Sequence, residues 1–251
     1  MKAVCIIPAR YASTRFPGKP LAELAGKPMI QWVYERAKSA KTIQDVIVAT
    51  DDQRIFDAVQ SFGGRAVMTV GDYQSGTDRI ADVAKDINCD AVVNLQGDEP
   101  WMNPETLDLS VRALESKPYC DVSTAMIKIT DEKTYLSPNA VKAVCASDGI
   151  ALYFSRSPIP SRARAGALPE FAGFWGFKHL GLYVYRKEAL LAFPKLKPTF
   201  LERLECLEQI RFLENGYKIK VVETTHDSTG IDTPEDLQSL KDMIKNSEVN
   251  S

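Results

Sequence analysis

An α/β fold with a mostly parallel central sheet, helices on both faces and a mixed or antiparallel extension is predicted by three features of the sequence. Residues 4–7 and 46–49 are short runs that are apolar throughout, and 91–95 is apolar but for Asn94, the pattern of strands buried on both faces. Helical patterns separate these runs, so the strands should be parallel and joined by right-handed crossovers. From about residue 120 to 186 helical patterns become scarce and strand-like runs follow one another, which predicts the mixed region.

Residues 4–7 form the first predicted strand, stopped at Pro8, which cannot donate to a ladder. The loop behind it carries Arg10, Arg15 and Lys19 with Ser13, Thr14 and Gly18. Gly26-Lys27-Pro28 opens a helix whose apolar face is Met29, Trp32, Val33, Ala37 and Ala40. A strand at 46–49 ends in Thr50-Asp51-Asp52, which caps a helix to about Ser61, closed by Gly63-Gly64. A strand at 66–69 leads through the loop 71–79 into a helix over about 77–86. The strand at 91–95 ends in Gln96-Gly97-Asp98-Glu99-Pro100, and Asn103-Pro104 opens a helix to about Ser116.

Strand-like runs follow at 122–127, 141–145, 151–154 and 180–185, around a small, basic, Gly-containing loop at 161–175. Thr199 and Glu202 fit a capping box for one helix reaching Glu214, closed by Asn215-Gly216. A strand at 217–222 precedes Gly230-Ile231-Asp232-Thr233-Pro234-Glu235-Asp236, a helix start, with the last helix running to about Lys245 and a frayed end at 246–251. There is no internal repeat and no long linker, so a single domain over 1–251 with an inserted sheet and loop arm at about 120–186 is the simplest organisation.

The chain has 251 residues, 45% hydrophobic and 25% charged, with net charge −2. That balance argues against a broad basic face for nucleic acid, so the basic loop is a local feature. No run approaches the ~20 apolar residues that span a bilayer, and no leading apolar segment resembles an export signal, so a cytoplasmic protein without membrane attachment is expected. The 5 cysteines are scattered, with no C-x-x-C pair, which suits small core residues rather than a disulfide framework or zinc site.

Two stretches carry chemistry. Arg10, Arg15 and Lys19, with hydroxyls beside them at the carboxyl end of a first strand, suit a polyphosphate, because open α/β sheets bind ligands at that edge and Arg offers forked, permanently charged donors. A solvated basic loop is the plainer alternative. Asp98 follows a buried strand, where α/β enzymes hold magnesium shared with substrate phosphates; a turn aspartate is the alternative. Asp232 is the natural second ligand, against a capping role. Neither G-x-G-x-x-G after the first strand nor G-x-x-x-x-G-K-[ST] occurs, so dinucleotide and Walker-type phosphate loops are absent.

Ile7-Pro8-Ala9-Arg10-Tyr11, Ser13 and Arg15-Phe16-Pro17-Gly18-Lys19-Pro20-Leu21 together resemble the signature loop of the sugar-activating cytidylyltransferases. The resemblance is closest to the 3-deoxy-manno-octulosonate (Kdo) cytidylyltransferase family. It continues in order through Ala49–Asp52, Ser75–Arg79, Gln96–Pro100, Ala151–Arg156, Lys178–Tyr183, Leu207–Arg211 and Ile231–Leu237. It implies a Rossmann-like nucleotidyltransferase fold, CTP and Kdo as substrates, Mg2+ as cofactor, a homodimer, and a product that feeds lipopolysaccharide synthesis. By resemblance, Asp98 and Asp232 hold the metal, and Ala9, Arg10, Ser13, Arg15 and Lys19 hold the triphosphate. Ser75, Gly76, Thr77 and Arg79 lie around the nucleoside. Gln96, Arg156, His179, Tyr183 and Glu208 lie towards the sugar acid. On its own, His179 on a half-buried strand also reads as a structural histidine, and His226 has no motif around it.

The run Ser161-Arg162-Ala163-Arg164-Ala165-Gly166 departs from the more acidic and aromatic run of the resembled family, which leaves Kdo, its 8-amino analogue and other sugar acids open as acceptors. The rivals are another nucleotidyltransferase on the same fold and a non-catalytic nucleotide-binding protein.

Overall fold

The structure is a computed structural model that describes residues 1–13, 16–163, 172–228, 230–231 and 233–249, with side chains described to residue 242. Arg15, Asp232 and most of the loop expected at 161–175 therefore lie outside the described residues. The first strand, β1 (Ala3–Ala9), is followed by a 3-10 turn at Lys19–Leu21 and a small hairpin of β2 (Glu23–Leu24) and β3 (Lys27–Pro28). Helix α1 (Met29–Ser39) begins one residue later than expected, because Pro28 is its N-cap in extended backbone. Then come β4 (Ile43–Thr50), α2 (Gln53–Ser61), β5 (Arg65–Met68), α3 (Gly76–Ala84), β6 (Ala91–Asn94) and α4 (Pro104–Ser116). Asp52, Ser75 and Asn103 cap α2, α3 and α4, each accepting a backbone N–H of the first turn.

The second half runs β7 (Val122–Ile129), α5 (Glu132–Leu136), β8 (Lys142–Cys145), β9 (Ala151–Ser155), β10 (Gly176–Arg186) and α6 (Lys187–Ala192). It closes with α7 (Phe200–Glu205), α8 (Gln209–Glu214), β11 (Ile219–Thr224) and α9 (Pro234–Val249). Three differences from the sequence reading have physical causes. The helix expected over 199–214 is two helices, because Cys206 turns left-handed at φ 53 and caps α7. Strand β10 starts at Gly176 rather than 180, because Gly176 to Lys178 find partners at Ile129 to Ile127 of β7. Helix α9 continues past 245 to Val249, since no Gly or Pro interrupts Glu235–Val249.

Among the described residues one nine-stranded sheet runs in the order β11-β7-β10-β6-β1-β4-β5, with β8 on β10 and β9 on β8. Strands β6, β1, β4 and β5 are parallel, whereas β10 runs antiparallel to both β6 and β7. The region about 120–186 thus contributes β7 and β10 to the body of the sheet, and only the β8–β9 hairpin stands off it.

The sheet has an apolar core on each face, as strands covered on both sides require. Val4 and Ile6 of β1, Ile47 of β4 and Val92 of β6 meet Ile80 and Ala84 of α3, with Leu190 and Phe212 beyond. The alternate residues Cys5, Ile7, Val48 and Val93 meet Ile30 and Val33 of α1, Ile55 of α2 and Leu107 of α4. A third, smaller cluster joins Leu24, Met29, Ile231 and Leu237. It ties the start of α9 to the hairpin behind the β1 loop.

Lys142 is fully buried, an arrangement that costs several kcal/mol unless the ammonium is satisfied. Its Nζ donates to the carbonyls of Ser137, Ala140 and Arg156 at 2.8, 2.6 and 2.6 Å, one acceptor for each of its donors. Burial still lowers its pKa.

Candidate active site

Sheet order reverses at β1: the chain leaves β1 towards β4 on one side and returns through β6 on the other. The crevice outside the carboxyl ends of such strands is where open α/β sheets bind ligands. A cavity of about 360 Å³ opens there. Its lining comes from the β1 loop (Ala9, Arg10, Ser13, Lys19), the start of α3 (Ser75, Gly76, Arg79), the turn after β6 (Gln96, Gly97, Asp98) and Glu208.

Local structure sets each of these. Gly18, at φ 72, lies over the Tyr11 ring, where an added Cβ would sit 3.1 Å from its carbons. The 3-10 turn that follows aims Lys19 inward. A Cβ on Gly97 would stand 3.2 Å from the Pro8 carbonyl oxygen, and one on Gly76 would stand 3.2 Å from Pro8 Cγ. These two glycines let both neighbouring segments close onto the end of β1. The α3 N-terminus, capped by Ser75, offers backbone N–H groups and a positive dipole end to the cavity.

Lys19 Nζ donates to Asp98 Oδ2 at 2.6 Å and to the Ile231 carbonyl at 2.9 Å. The Ile231 N–H donates back to the Asp98 carbonyl at 2.9 Å. Arg79 is buried, its guanidinium donating to Asp51 Oδ2 and Thr69 Oγ1, each at 2.6 Å, 5.0 Å from the Tyr73 ring centroid. Thr77 stands behind the cavity wall, its hydroxyl donating to Glu208 Oε2 at 2.7 Å. Burial pushes the Glu208 carboxyl up, opposed by that hydrogen bond.

A second cavity, of about 980 Å³, lies beside the first. Arg156, His179 and Tyr183 line it, with Glu99, Lys178 and Ser228. Arg156 is held by backbone oxygens, donating from Nε to Glu205 at 2.9 Å and from Nη1 to Pro138 at 3.1 Å. The His179 ring is buried among Phe154 and Tyr183, with Nε2 2.8 Å from Thr124 Oγ1. Burial pushes its pKa down to about 3, so the ring is neutral. His226 stands apart at the surface, 3.2 Å from Glu105 Oε2.

Most residues expected to act together do meet. Arg10, Ser13, Lys19, Ser75, Gly76, Arg79 and Asp98 share one cavity wall. Gln96 and Glu208, expected towards a sugar acid, stand on the wall of this smaller cavity, whereas Arg156, His179 and Tyr183 line the larger one. Sequence reasoning missed Tyr73 and Gln74 in the first cavity and Glu99, Lys178 and Ser228 in the second. Glu99 was legible only as the neighbour of Asp98. Burial pushes its carboxyl up to about 7, against the Ser228 hydroxyl that favours the charged form.

Among the described residues no group of three or more His, Cys, Asp or Glu side chains could enclose a metal ion. A part-exposed Asp98 facing a cavity lined by Arg10 and Lys19 suits the other way magnesium is held, by one or two carboxylates shared with substrate phosphates.

A profile of the cytidylyltransferase family matches residues 4–219. The chain is 49% identical over 250 residues to a 3-deoxy-manno-octulosonate cytidylyltransferase of Geobacter sulfurreducens, covering 98% of this chain and 100% of that protein. It is 48% identical over 245 residues to one of Solibacter usitatus, covering 97% and 95%. Among solved structures, a CMP:2-keto-3-deoxy-manno-octonic acid synthetase complexed with CTP superposes with a TM-score of 0.91 at 41% identity, over 98% of this chain and 100% of that one. A cytidylyltransferase from Leptospira borgpetersenii shares the fold, with a TM-score of 0.65 at 20% identity, over 98% of this chain and 87% of that one.

Proposed function

The chain belongs to the cytidylyltransferase family, and we propose that it transfers CMP from CTP to the anomeric hydroxyl of Kdo, giving CMP-Kdo and pyrophosphate. The observation that carries this reading is the pairing of two cavities at one turn. Gln96, Gly97 and Asp98 line the smaller, cation-lined cavity, and Glu99 lines the larger one beside Arg156 and Lys178. A triphosphate fits the first and a sugar carboxylate is matched in charge by the second, so the acceptor meets the α-phosphate where the cavities join.

The sugar hydroxyl attacks the α-phosphorus in line and pyrophosphate leaves. Arg10 and Lys19, with Arg15 in the same loop, neutralise the leaving charge. Ser75 and Gly76 offer the α3 N-terminus, and Arg79, locked by Asp51, keeps that wall rigid. Positioning and charge stabilisation dominate such transfers. Asp98 and Asp232 would hold magnesium, which when bound neutralises the triphosphate and acidifies the attacking hydroxyl. Neutral His179 shapes the sugar cavity and takes no proton near pH 7.

Pyrophosphate release with CTP, magnesium and Kdo, its 8-amino analogue or sialic acid in parallel is the deciding assay. Release with Kdo is expected. Release with sialic acid alone would discard the acceptor, and CTP binding without release from any sugar would leave a non-catalytic nucleotide binder. Asp98→Asn should cost on the order of 10³-fold in kcat, the equivalent of several kcal/mol of charge stabilisation, with the circular dichroism spectrum unchanged. Near-normal turnover would remove Asp98 from the reaction.

The same reading expects activation in the cytoplasm, ahead of lipopolysaccharide assembly, by a homodimer. Exposed Leu152, Phe200 and Leu204 support the dimer. Light scattering giving a monomer at micromolar concentration would exclude the dimer.

A further inference from the structure

Glu99 is 8% exposed and Ser228 7%, and they meet across 129 residues of sequence, the Ser228 hydroxyl donating to Glu99 Oε2. Burying a carboxylate is costly, and an apolar side chain of similar size would serve the core at least as well. The contact therefore calls for a reason other than stability, and its surroundings supply one.

Glu99 sits in the turn that presents Asp98. Its N–H donates to the Gln96 carbonyl at 3.2 Å, and its own carbonyl accepts from Met102 N at 3.1 Å. Opposite, Ser228 belongs to a segment anchored on β10. Lys178 Nζ lies 2.5 Å from Asp227 Oδ1 and donates to the Ser228 carbonyl at 3.4 Å. Three residues on, the Ile231 N–H holds the Asp98 carbonyl at 2.9 Å. Between these ties, Gly230 lies against the turn, where an added Cβ would make ordinary contact at 3.9 Å with both the Asp98 carbonyl oxygen and Glu99 Oε1. Gly181 of β10 closes the other side, its added Cβ 3.5 Å from Glu99 Oε1. The Asp98 turn is thus held at its backbone by Ile231 and at the next side chain by Ser228, while the Asp98 carboxylate, paired with Lys19, faces the smaller cavity.

We propose that Glu99, through Ser228, is a positioning residue that fixes the orientation in which Asp98 offers its carboxylate to a divalent cation bound with the nucleotide. The inference rests on the reading of Asp98 as a magnesium ligand. Residues that hydrogen-bond or orient a ligating carboxylate commonly change metal affinity by roughly 10- to 100-fold when removed.

The test is CTP binding by calorimetry on the full chain, without sugar, in chelator and in saturating magnesium. The ratio of the two affinities measures the coupling between metal and nucleotide. In Glu99→Ala that ratio should fall by roughly 10-fold or more, with metal-free CTP affinity within about twofold of wild type. Glu99→Gln, whose amide oxygen still accepts from Ser228, should keep it. Ser228→Ala removes the same contact from the other side and should lower the ratio even if Glu99→Ala does not fold. A general structural defect would weaken binding equally in both conditions. An unchanged ratio in Glu99→Ala and Ser228→Ala, or a loss in Glu99→Gln equal to that in Glu99→Ala, would overturn the proposal. A wild-type chain that binds CTP equally with and without magnesium would instead overturn the metal reading of Asp98, and the positioning role with it.

Discussion

His179 and Asp98 were both singled out from a single sequence, and their surroundings give them opposite characters. Asp98 reaches the cavity with its side chain 28% exposed and paired to Lys19. His179 is enclosed, with its pKa lowered by burial to about 3. An unfolded histidine titrates near 6.5. Between about pH 6.5 and 3 the unfolded chain therefore holds the extra proton, and stability rises with pH across that window. The contribution of the neutral ring is complete above about 6.5 and is lost as the pH falls. His179→Gln should unfold with a shallower acid dependence than wild type, by up to about 1.4 kcal/mol per pH unit for one proton. Urea unfolding at a series of pH values between 6 and 4 measures this, and parallel slopes for the two chains would show that His179 is protonated in the fold.

At the scale of elements, the division of the expected helix 199–214 decides where Glu208 lands. Cys206 ends α7 at φ 53, and α8 restarts behind Glu208, whose carboxylate then meets Thr77. A left-handed conformation costs an ordinary residue roughly 1–2 kcal/mol and costs glycine almost nothing. Cys206→Gly should therefore raise the unfolding free energy by about 0.5–1 kcal/mol, after glycine's larger unfolded-state entropy, with kcat unchanged. A loss of stability would show that the cysteine side chain contributes more than its backbone strain removes. The sequence carried no glycine at 206 to mark this break. By contrast, the starts of α2 and α4 were legible because Asp52 and Asn103 cap them by local hydrogen bonds. Helices α5 and α6 were not foreseen, since 5 and 6 residues are too few to show a helical period.

For the whole molecule, the decisive feature is that strands from both halves of the chain share one sheet. Strand β10 lies between β6 and β7, and the core on one face joins Ile6 and Val92 to Tyr185 and Phe212. Separating the halves would open that core and the β10 ladder together. Thermal unfolding followed by calorimetry should thus give a single transition, shifted upward by CTP with magnesium through mass action. Two resolved transitions would show that the region about 120–186 folds independently. Chelating magnesium should abolish turnover and leave the transition of the nucleotide-free chain in place.

The sequence by itself determined the parallel half of the sheet, the helices over it and the two loops that line the smaller cavity. Each of these is written locally, in an apolar run ending at Pro8 or Gln96-Gly97-Asp98, in a cap, or in a cluster of cations. Only the tertiary structure decided that β10 is inserted antiparallel, that Thr77 turns behind the wall to Glu208, that Lys142 lies buried under three carbonyls, and that Glu99 meets Ser228. The physical reason is range. A strand end or a helix cap is settled by residues a few places apart, but a buried polar group is settled by whichever partner the closed sheet brings to it, and nothing near Glu99 in the chain names a serine 129 residues away.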